Sequence, residues 1–205
     1  MKKSDKTYQG IKFKASLKRE PIRDDCLEDL IFWAQKFYDE GLSNTYNWRG
    51  RMASGGNLSY RVKRGFIISR SGKSMDRMRP EEFVKVTKLS KDKKTVFCWG
   101  SYLPSSEARL HWEIYLARPE IQVIFHEHDF TTLKAAKKLG LPITKTEEPY
   151  GTLALVNSVM EILDKHNFIV LKNHGVLVLG KNFQEVGELA LEVHQKAIKK
   201  LKEEK

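Results

Sequence analysis

Ile121-Gln122-Val123-Ile124-Phe125-His126-Glu127-His128 is the stretch from which the fold and its chemistry can be worked out. An apolar run that follows Pro119 and ends abruptly in charged residues has the signature of a buried strand. Along an extended strand, side chains two apart face the same way. His126 and His128 therefore share one side at the strand's end, where strands open onto pockets. Two imidazoles so placed can reach one cation. The same spacing also suits two unrelated polar residues at a strand terminus.

Downstream, Phe168–Leu171 and Val176–Leu179 are β-branched runs on either side of Asn173-His174-Gly175, a turn or bulge. Gly175 lets the backbone approach another group closely, so His174 suits a third ligand as well as a turn histidine bonded to backbone. Between these runs and the opening strand, helices are expected at Thr131–Leu139 and Thr152–His166, and the last helix at Phe183–Lys202. Asp129 can cap the first of these or orient an imidazole.

Upstream, Pro104-Ser105-Ser106-Glu107 opens a helix that ends before Pro119, with Ser105 as its cap. Free backbone N–H groups there favour an anion, and they stabilise a carboxylate such as Glu107. His111 lies on the same helical side, four residues on, and reads as core or support rather than ligand. Two small-residue loops, Gly55-Gly56-Asn57 and Ser69-Arg70-Ser71-Gly72, adjoin strands at Leu58–Val62 and Phe66–Ser69. Such loops can cradle phosphate oxygens or simply turn a hairpin. Further strands are expected at Phe83–Leu89 and Thr95–Trp99. A helix from Cys26 to Glu40, capped by Asp24 or Asp25, ends at Gly41. The mixture suggests a sheet with helices on both faces and many antiparallel neighbours.

The chain of 205 residues, 40% apolar, parses as a single domain over residues 1–205, with 1–20 loosely ordered. No apolar run is long enough to cross a bilayer, and the charged N-terminus does not resemble a signal peptide, so a cytoplasmic protein without membrane partners is expected. Cys26 and Cys98 stand far apart and read as free thiols. The net charge of +11 is spread over lysines interrupted by acids, with no zinc-finger spacing or aromatic RNA-binding motif. Nucleic acid is therefore not an expected partner, and the basic balance is compatible with a phosphate-bearing ligand.

Taken in order, the chain resembles the class II aldolase/adducin-head family. The likeness rests on Ser54-Gly55-Gly56-Asn57-Leu58-Ser59, Ile67-Ile68-Ser69-Arg70-Ser71-Gly72, Pro104-Ser105-Ser106-Glu107-Ala108-Arg109-Leu110-His111, Arg118-Pro119-Glu120, His126-Glu127-His128 and Asn173-His174-Gly175. It spans roughly Asp24 to Ala197. No single piece is specific; the combination is. The resemblance implies an α/β fold, a three-layer αβα arrangement with a central, largely antiparallel sheet between helical layers. It implies His126, His128 and His174 as ligands of Zn²⁺ or another divalent transition metal, and Glu107 as catalytic acid/base. It places Ser54, Asn57, Ser71, Gly72, Ser105 and Ser106 around a substrate phosphate. Family enzymes are usually homotetramers with active sites at subunit boundaries.

The activity so implied is cleavage of a small phosphorylated sugar, a ketose 1-phosphate of the fuculose type, to dihydroxyacetone phosphate and an aldehyde. Three neutral imidazoles leave a zinc ion open positions, as catalytic sites require, and the cation would stabilise an enediolate. The same constellation could serve a methylthioribulose-1-phosphate dehydratase or a pentulose-phosphate 4-epimerase. A non-catalytic adducin-like interaction module is the alternative of another class, disfavoured because a module need not keep Glu107 and all three histidines. The fuculose-type enzymes carry a tyrosine that protonates the leaving fragment. No equivalent is identifiable between Phe130 and Tyr150, a stretch that looks shorter here.

Overall fold

The computed structural model describes residues 10–43, 46–48, 51–53 and 55–203. In chain order the elements are β1 (Lys14–Lys18), α1 (Leu27–Asp39), β2 (Tyr46–Trp48), β3 (Arg51–Ala53), β4 (Gly56–Arg61), β5 (Phe66–Ser69), β6 (Phe83–Leu89) and β7 (Thr95–Trp99). They continue with α2 (Ala108–Ala117), β8 (Val123–Glu127), α3 (Phe130–Ala135), α4 (Leu153–Met160), β9 (Phe168–Leu171), β10 (Gly175–Gly180) and α5 (Phe183–Lys202). Eight strands form one sheet in the order β1-β7-β6-β5-β4-β8-β10-β9, and β2 pairs with β3 in a separate hairpin. Neighbours in the large sheet are antiparallel except β1 and β7, which run parallel.

The alternation of β8 organises two cores. Phe125 joins Trp33 and Phe37 of α1 and Val186 and Ala190 of α5 in one apolar cluster. Its neighbour Ile124 joins Ile114 of α2 and Val159 of α4 in another. A fully buried side chain of this size contributes about 1.5–3 kcal/mol relative to exposure, so both clusters hold the sheet's middle strands in place. Helix ends follow local chemistry. Gly41, at φ +80°, stops α1 while the Leu42 N–H returns to the Phe37 carbonyl at 2.9 Å. The Asn182 side chain accepts from the Glu185 N–H at 2.8 Å, and Lys199, Lys200 and Lys202 lie in the last turn of α5, where the dipole favours cations.

Several expectations are corrected. Residues 1–20 were expected to be loosely ordered, yet Lys14–Lys18 form an edge strand along β7. Phe13, Ala15 and Leu17 pack on the second core while Lys14, Ser16 and Lys18 face solvent, so ladder bonds and alternation outweigh the lysine-rich composition. The strand expected from Ile121 begins at Val123 and extends through Glu127, which places His126 inside the ladder. The helix expected over Thr152–His166 ends at Met160, followed by a 3₁₀ turn at Leu163–Lys165; the Leu163 carbonyl and that of the following His166 accept from Arg118. Similarly, α3 stops at Ala135, and Gly140 at φ +64° closes the segment. Both cysteines are free, as expected.

Candidate metal centre

Three elements bring the histidines together. His126 sits in β8 opposite Asn57 of β4 and Leu177 of β10. His128 follows the strand, its N–H bonded to the Gly55 carbonyl at 2.6 Å. His174 occupies the turn between β9 and β10, where Asn173 takes φ +56° and the His174 N–H reaches the Leu171 carbonyl at 3.0 Å. Asparagine tolerates that left-handed conformation better than most residues. The ring centroids of the three histidines are 4.9–5.1 Å apart. One nitrogen from each lies within 4.8 Å of the other two, close enough for a modest closing of the rings to bring all three onto one cation.

Two glycines make this convergence possible. A Cβ on Gly175 would stand 2.4 Å from the Glu127 carbonyl oxygen and 2.8 Å from His126 Cε1. A Cβ on Gly56 would stand 2.0 Å from the His126 carbonyl oxygen. Strand β8 is thus hemmed on both sides by positions with no room for a side chain.

Glu107 lies at the N-terminus of α2, 2% exposed. Its Oε2 accepts from Asn57 Nδ2 at 2.8 Å and stands 3.1 Å from His126 Nε2, while Oε1 is 3.7 Å from His174 Nε2. His126 Nδ1 donates to the Val176 carbonyl at 2.9 Å. In a neutral ring, Nε2 is then a bare lone pair. Burial is the main cause that pushes the His126 pKa down to about 3, with the neighbouring His174 adding to it and the Val176 carbonyl opposing. Burial, followed by His126 and His174, also holds His128 well below the usual imidazole range. A lone pair therefore faces a carboxylate oxygen across 3.1 Å in a buried site. His126 Nε2, His174 Nδ1 and Glu107 Oε1 are all buried without a hydrogen-bond partner among the described residues. The three imidazoles, with the free lone pair of His126 Nε2 among them, form a nitrogen donor set that could hold a divalent cation.

The residues expected around a phosphate fall in two groups and one exception. The Ser105 N–H donates to the Ser69 carbonyl at 3.0 Å, and the Ser71 N–H to the Leu103 carbonyl at 3.0 Å. These bonds clamp Ser71-Gly72 beside Ser105-Ser106. Ser105 does not cap α2 itself: its Oγ accepts the N–H of Glu107 at 3.2 Å, and Glu107 is the residue that precedes the helix at Ala108. Ser106 is covered by Gly151, whose added Cβ would lie 2.9 Å from the Ser106 carbonyl oxygen. Asn57 is the exception, since one of its amide hydrogens is committed to Glu107. Ser54 lies outside the described residues.

Sequence reasoning missed that Asn57 holds Glu107, because the pairing depends on the register of β4 against β8. It also missed the buried chain in which Ser59 Oγ bonds His111 Nδ1 at 2.7 Å and the Tyr115 hydroxyl at 2.8 Å. Burial pushes the His111 pKa down to about 3, with Glu107 opposing. Asp129 accepts the Thr132 N–H at 3.0 Å and bonds His194 Nδ1 at 2.8 Å, so it caps α3 and ties it to α5. Glu127 faces away from the metal-side rings and bonds Ser43.

The chain is similar in sequence and in fold to known proteins. The chain is 28% identical over 160 residues to a 5-methylthioribulose-1-phosphate/5-deoxyribulose-1-phosphate aldolase of Rhodospirillum rubrum, covering 69% of this chain and 68% of that protein. It is 25% identical over 166 residues to a methylthioribulose-1-phosphate dehydratase of Pseudoalteromonas translucida, covering 65% and 74% respectively. A solved L-fuculose 1-phosphate aldolase shares the fold with a TM-score of 0.68 at 24% identity, over 86% of this chain and 84% of that one. The family model described as "Class II Aldolase and Adducin N-terminal domain" matches residues 42–198. The chain is a lyase-type enzyme that belongs to the class II aldolase and adducin N-terminal domain family.

Proposed function

We propose that the chain cleaves a ketose 1-phosphate to dihydroxyacetone phosphate and an aldehyde, with Zn²⁺ held by His126, His128 and His174 and with Glu107 as acid/base. The observation that carries this reading is the buried carboxylate of Glu107 standing 3.1 Å from an unprotonated imidazole nitrogen in a three-histidine cluster. When bound, a divalent cation supplies positive charge that polarises the substrate carbonyl and offsets charge developing on the adjacent oxygens. Glu107 exchanges the proton at the carbon next to that carbonyl, and Asn57 aims the carboxylate. Ser71, Gly72, Ser105 and Ser106, with Ser54, hold the phosphate, so its binding energy orients the reacting carbons. The second Asn57 amide hydrogen remains for a phosphate oxygen.

The two apolar clusters support a three-layer αβα arrangement around the sheet. We carry the homotetramer as part of this reading; light scattering should give four times the 23.8 kDa of one chain.

The test is product analysis. Zinc-loaded protein is offered L-fuculose 1-phosphate, 5-deoxyribulose 1-phosphate and 5-methylthioribulose 1-phosphate, and dihydroxyacetone phosphate is measured by coupled NADH oxidation. Its release, reduced by about 10²–10⁴-fold in Glu107→Gln with zinc retained, is the expected result. Loss of water without carbon–carbon cleavage, the dehydratase outcome that the Pseudoalteromonas relative makes worth scoring, overturns the aldolase reading. Epimerised substrate overturns it equally, as does bound zinc with no turnover of any of the three.

A further inference from the structure

A second cavity, of about 470 Å³, opens beside the β9 edge of the sheet, between α3 and the segment that precedes α4. Its rim carries Lys134, Lys137, Lys138, Lys145 and Lys172, and no acidic side chain lines it. Its floor is aliphatic, from Leu133, Ile143 and Val170. The backbone there makes no demand on a ligand. The Val170 N–H donates to the Pro142 carbonyl at 2.8 Å, and its carbonyl accepts from the Thr144 N–H at 2.9 Å. What stays unbalanced is the charge of Lys134 and Lys137. Lys145 pairs with Glu161 at 3.0 Å outside the cavity lining, and Lys172 Nζ donates to the Lys145 carbonyl at 3.1 Å. Lys134 and Lys137 have no carboxylate partner among the described residues. Like charges drawn around one concavity repel one another, and a bound anion relieves that repulsion.

We propose that this cavity binds a small organic polyanion, a phosphorylated molecule carrying at least two negative charges. The volume falls in the range of small-ligand sites, roughly 300–1,000 Å³, and the lysines ring a concavity rather than forming the extended stripe that tracks a nucleic-acid backbone. The site is distinct from the phosphate loops proposed for catalysis. Val170 and Leu133 belong to the core packed on α1 and α5, whereas the α2 residues that follow Glu107 belong to the other. The two sites touch through the β9–β10 turn. The Lys172 N–H donates to Thr144 Oγ1 at 3.0 Å, and Asn173 Nδ2 to Glu147 at 2.7 Å, so one wall of the cavity is the turn that carries His174. An occupant held by Lys172 therefore steadies that turn.

The test uses metal-free protein, so its outcome does not depend on the aldolase reading. Inorganic tripolyphosphate is titrated by calorimetry, with dihydroxyacetone phosphate as a monophosphate comparison and a single-stranded oligonucleotide as the extended polyanion. Hydrogen exchange reports where each binds. Tripolyphosphate should bind at least tenfold tighter than dihydroxyacetone phosphate and protect amides in 142–146 and 170–174. Lys134→Gln/Lys137→Gln should weaken it at least tenfold, and Lys134→Glu/Lys137→Glu further still. Lys91→Glu/Lys94→Glu, with the same change in net charge elsewhere on the surface, should stay within twofold of the parent. Equal loss in that control, protection confined to other segments, or tighter binding of the oligonucleotide overturns the proposal. The neutral pair keeps the test decisive if the charge-reversed variant fails to fold.

Discussion

Replacing Gly175 by alanine should weaken metal binding as well as the fold. The added Cβ meets the Glu127 carbonyl oxygen at 2.4 Å, His126 Cε1 at 2.8 Å and His128 Cδ2 at 3.2 Å. Non-bonded atoms settle at about 3.5 Å, so the carbonyl contact is short by roughly 1 Å. That carbonyl belongs to β8, paired with Gly56 on one side and Val176 on the other, and it cannot swing aside as a side chain does. Either the end of β8 or the turn carrying His174 must move by about the same distance. Overpacking of this kind costs about 1–3 kcal/mol, which lowers the melting temperature of a chain of this size by about 2–12 °C. If the same strain falls on the ligand geometry, zinc affinity drops by roughly 5- to 150-fold, since each ~1.4 kcal/mol is tenfold. Competition against a chromophoric chelator reads the affinity, and thermal unfolding in excess EDTA reads the fold. Gly180→Ala serves as a comparison at the other end of β10, where the Cβ would meet Val186 Cγ2 at 2.6 Å and Glu185 side-chain atoms. It should lose stability while binding zinc normally. Zinc affinity of Gly175→Ala within twofold of the parent would refute the reasoning, as would an equal loss in Gly180→Ala.

His128→Ala should lose metal and turnover together, and full zinc occupancy in that variant would contradict the ligand assignment. Asn57→Ala removes a hydrogen bond to a buried carboxylate, worth about 1.5–3 kcal/mol, so kcat should fall about 10- to 150-fold with zinc content unchanged; an unaltered kcat would free Glu107 from this partner. Acidification should destabilise the metal-free fold. Unfolded histidines titrate near 6.5, whereas burial holds His126 and His111 down at about 3 and His128 well below normal, so between these limits the unfolded chain binds more protons and stability falls with pH. Burial of Glu127 acts the other way: its carboxyl is raised well above the ordinary range, so it stays protonated in the fold and favours low pH. Three histidines against one carboxyl leave a net uptake of about two protons on unfolding between roughly pH 4.5 and 6.5. Melting temperatures of EDTA-treated protein should fall across that interval, and a flat or rising profile toward acid would contradict the balance.

The elements that sequence made legible are those whose period and caps agree. The long helix at Phe183–Lys202 has apolar spacing, an asparagine cap and a lysine-rich last turn, and it forms with those bounds. Strands β5, β6, β7 and β9 are likewise bounded by turn residues and appear as read. The edge strand β1 was hidden because two apolar residues in a lysine-rich segment carry little local signal; its partner strand supplies the stabilisation. Within the site, strand period placed His126 and His128 on one side, and the family resemblance made them ligands. The approach of His174, and the hold of Asn57 on Glu107, required knowing which strands lie side by side. No local rule joins position 57 to position 107. The pairing exists because β4 neighbours β8 and because the chain between Ser69 and Ser105 is pinned by the Ser105 N–H.

Register and chemistry are one constraint at this centre. Asn57 stands opposite His126, and Glu127 stands opposite both Gly56 and Val176. A slip of one residue in β4 would turn Asn57 to the α1 side of the sheet and leave Glu107 without its donor. In one direction it would also bring Leu58, whose side chain belongs to the α1 core, toward the carboxylate. Either slip loses a charged hydrogen bond, and the one that advances Leu58 also buries a leucine against a charge, penalties of a few kcal/mol set against a net stability of about 5–15 kcal/mol. The polar cluster therefore selects the alignment of the central strands. The two crowded glycines reinforce that choice, because only positions 56 and 175 lack the side chain that the backbone of residues 126 and 127 would exclude. The strand pairing that folds the sheet is then the same pairing that sets a lone pair of His126 against Glu107, and a cation entering there binds groups already fixed by the ladder.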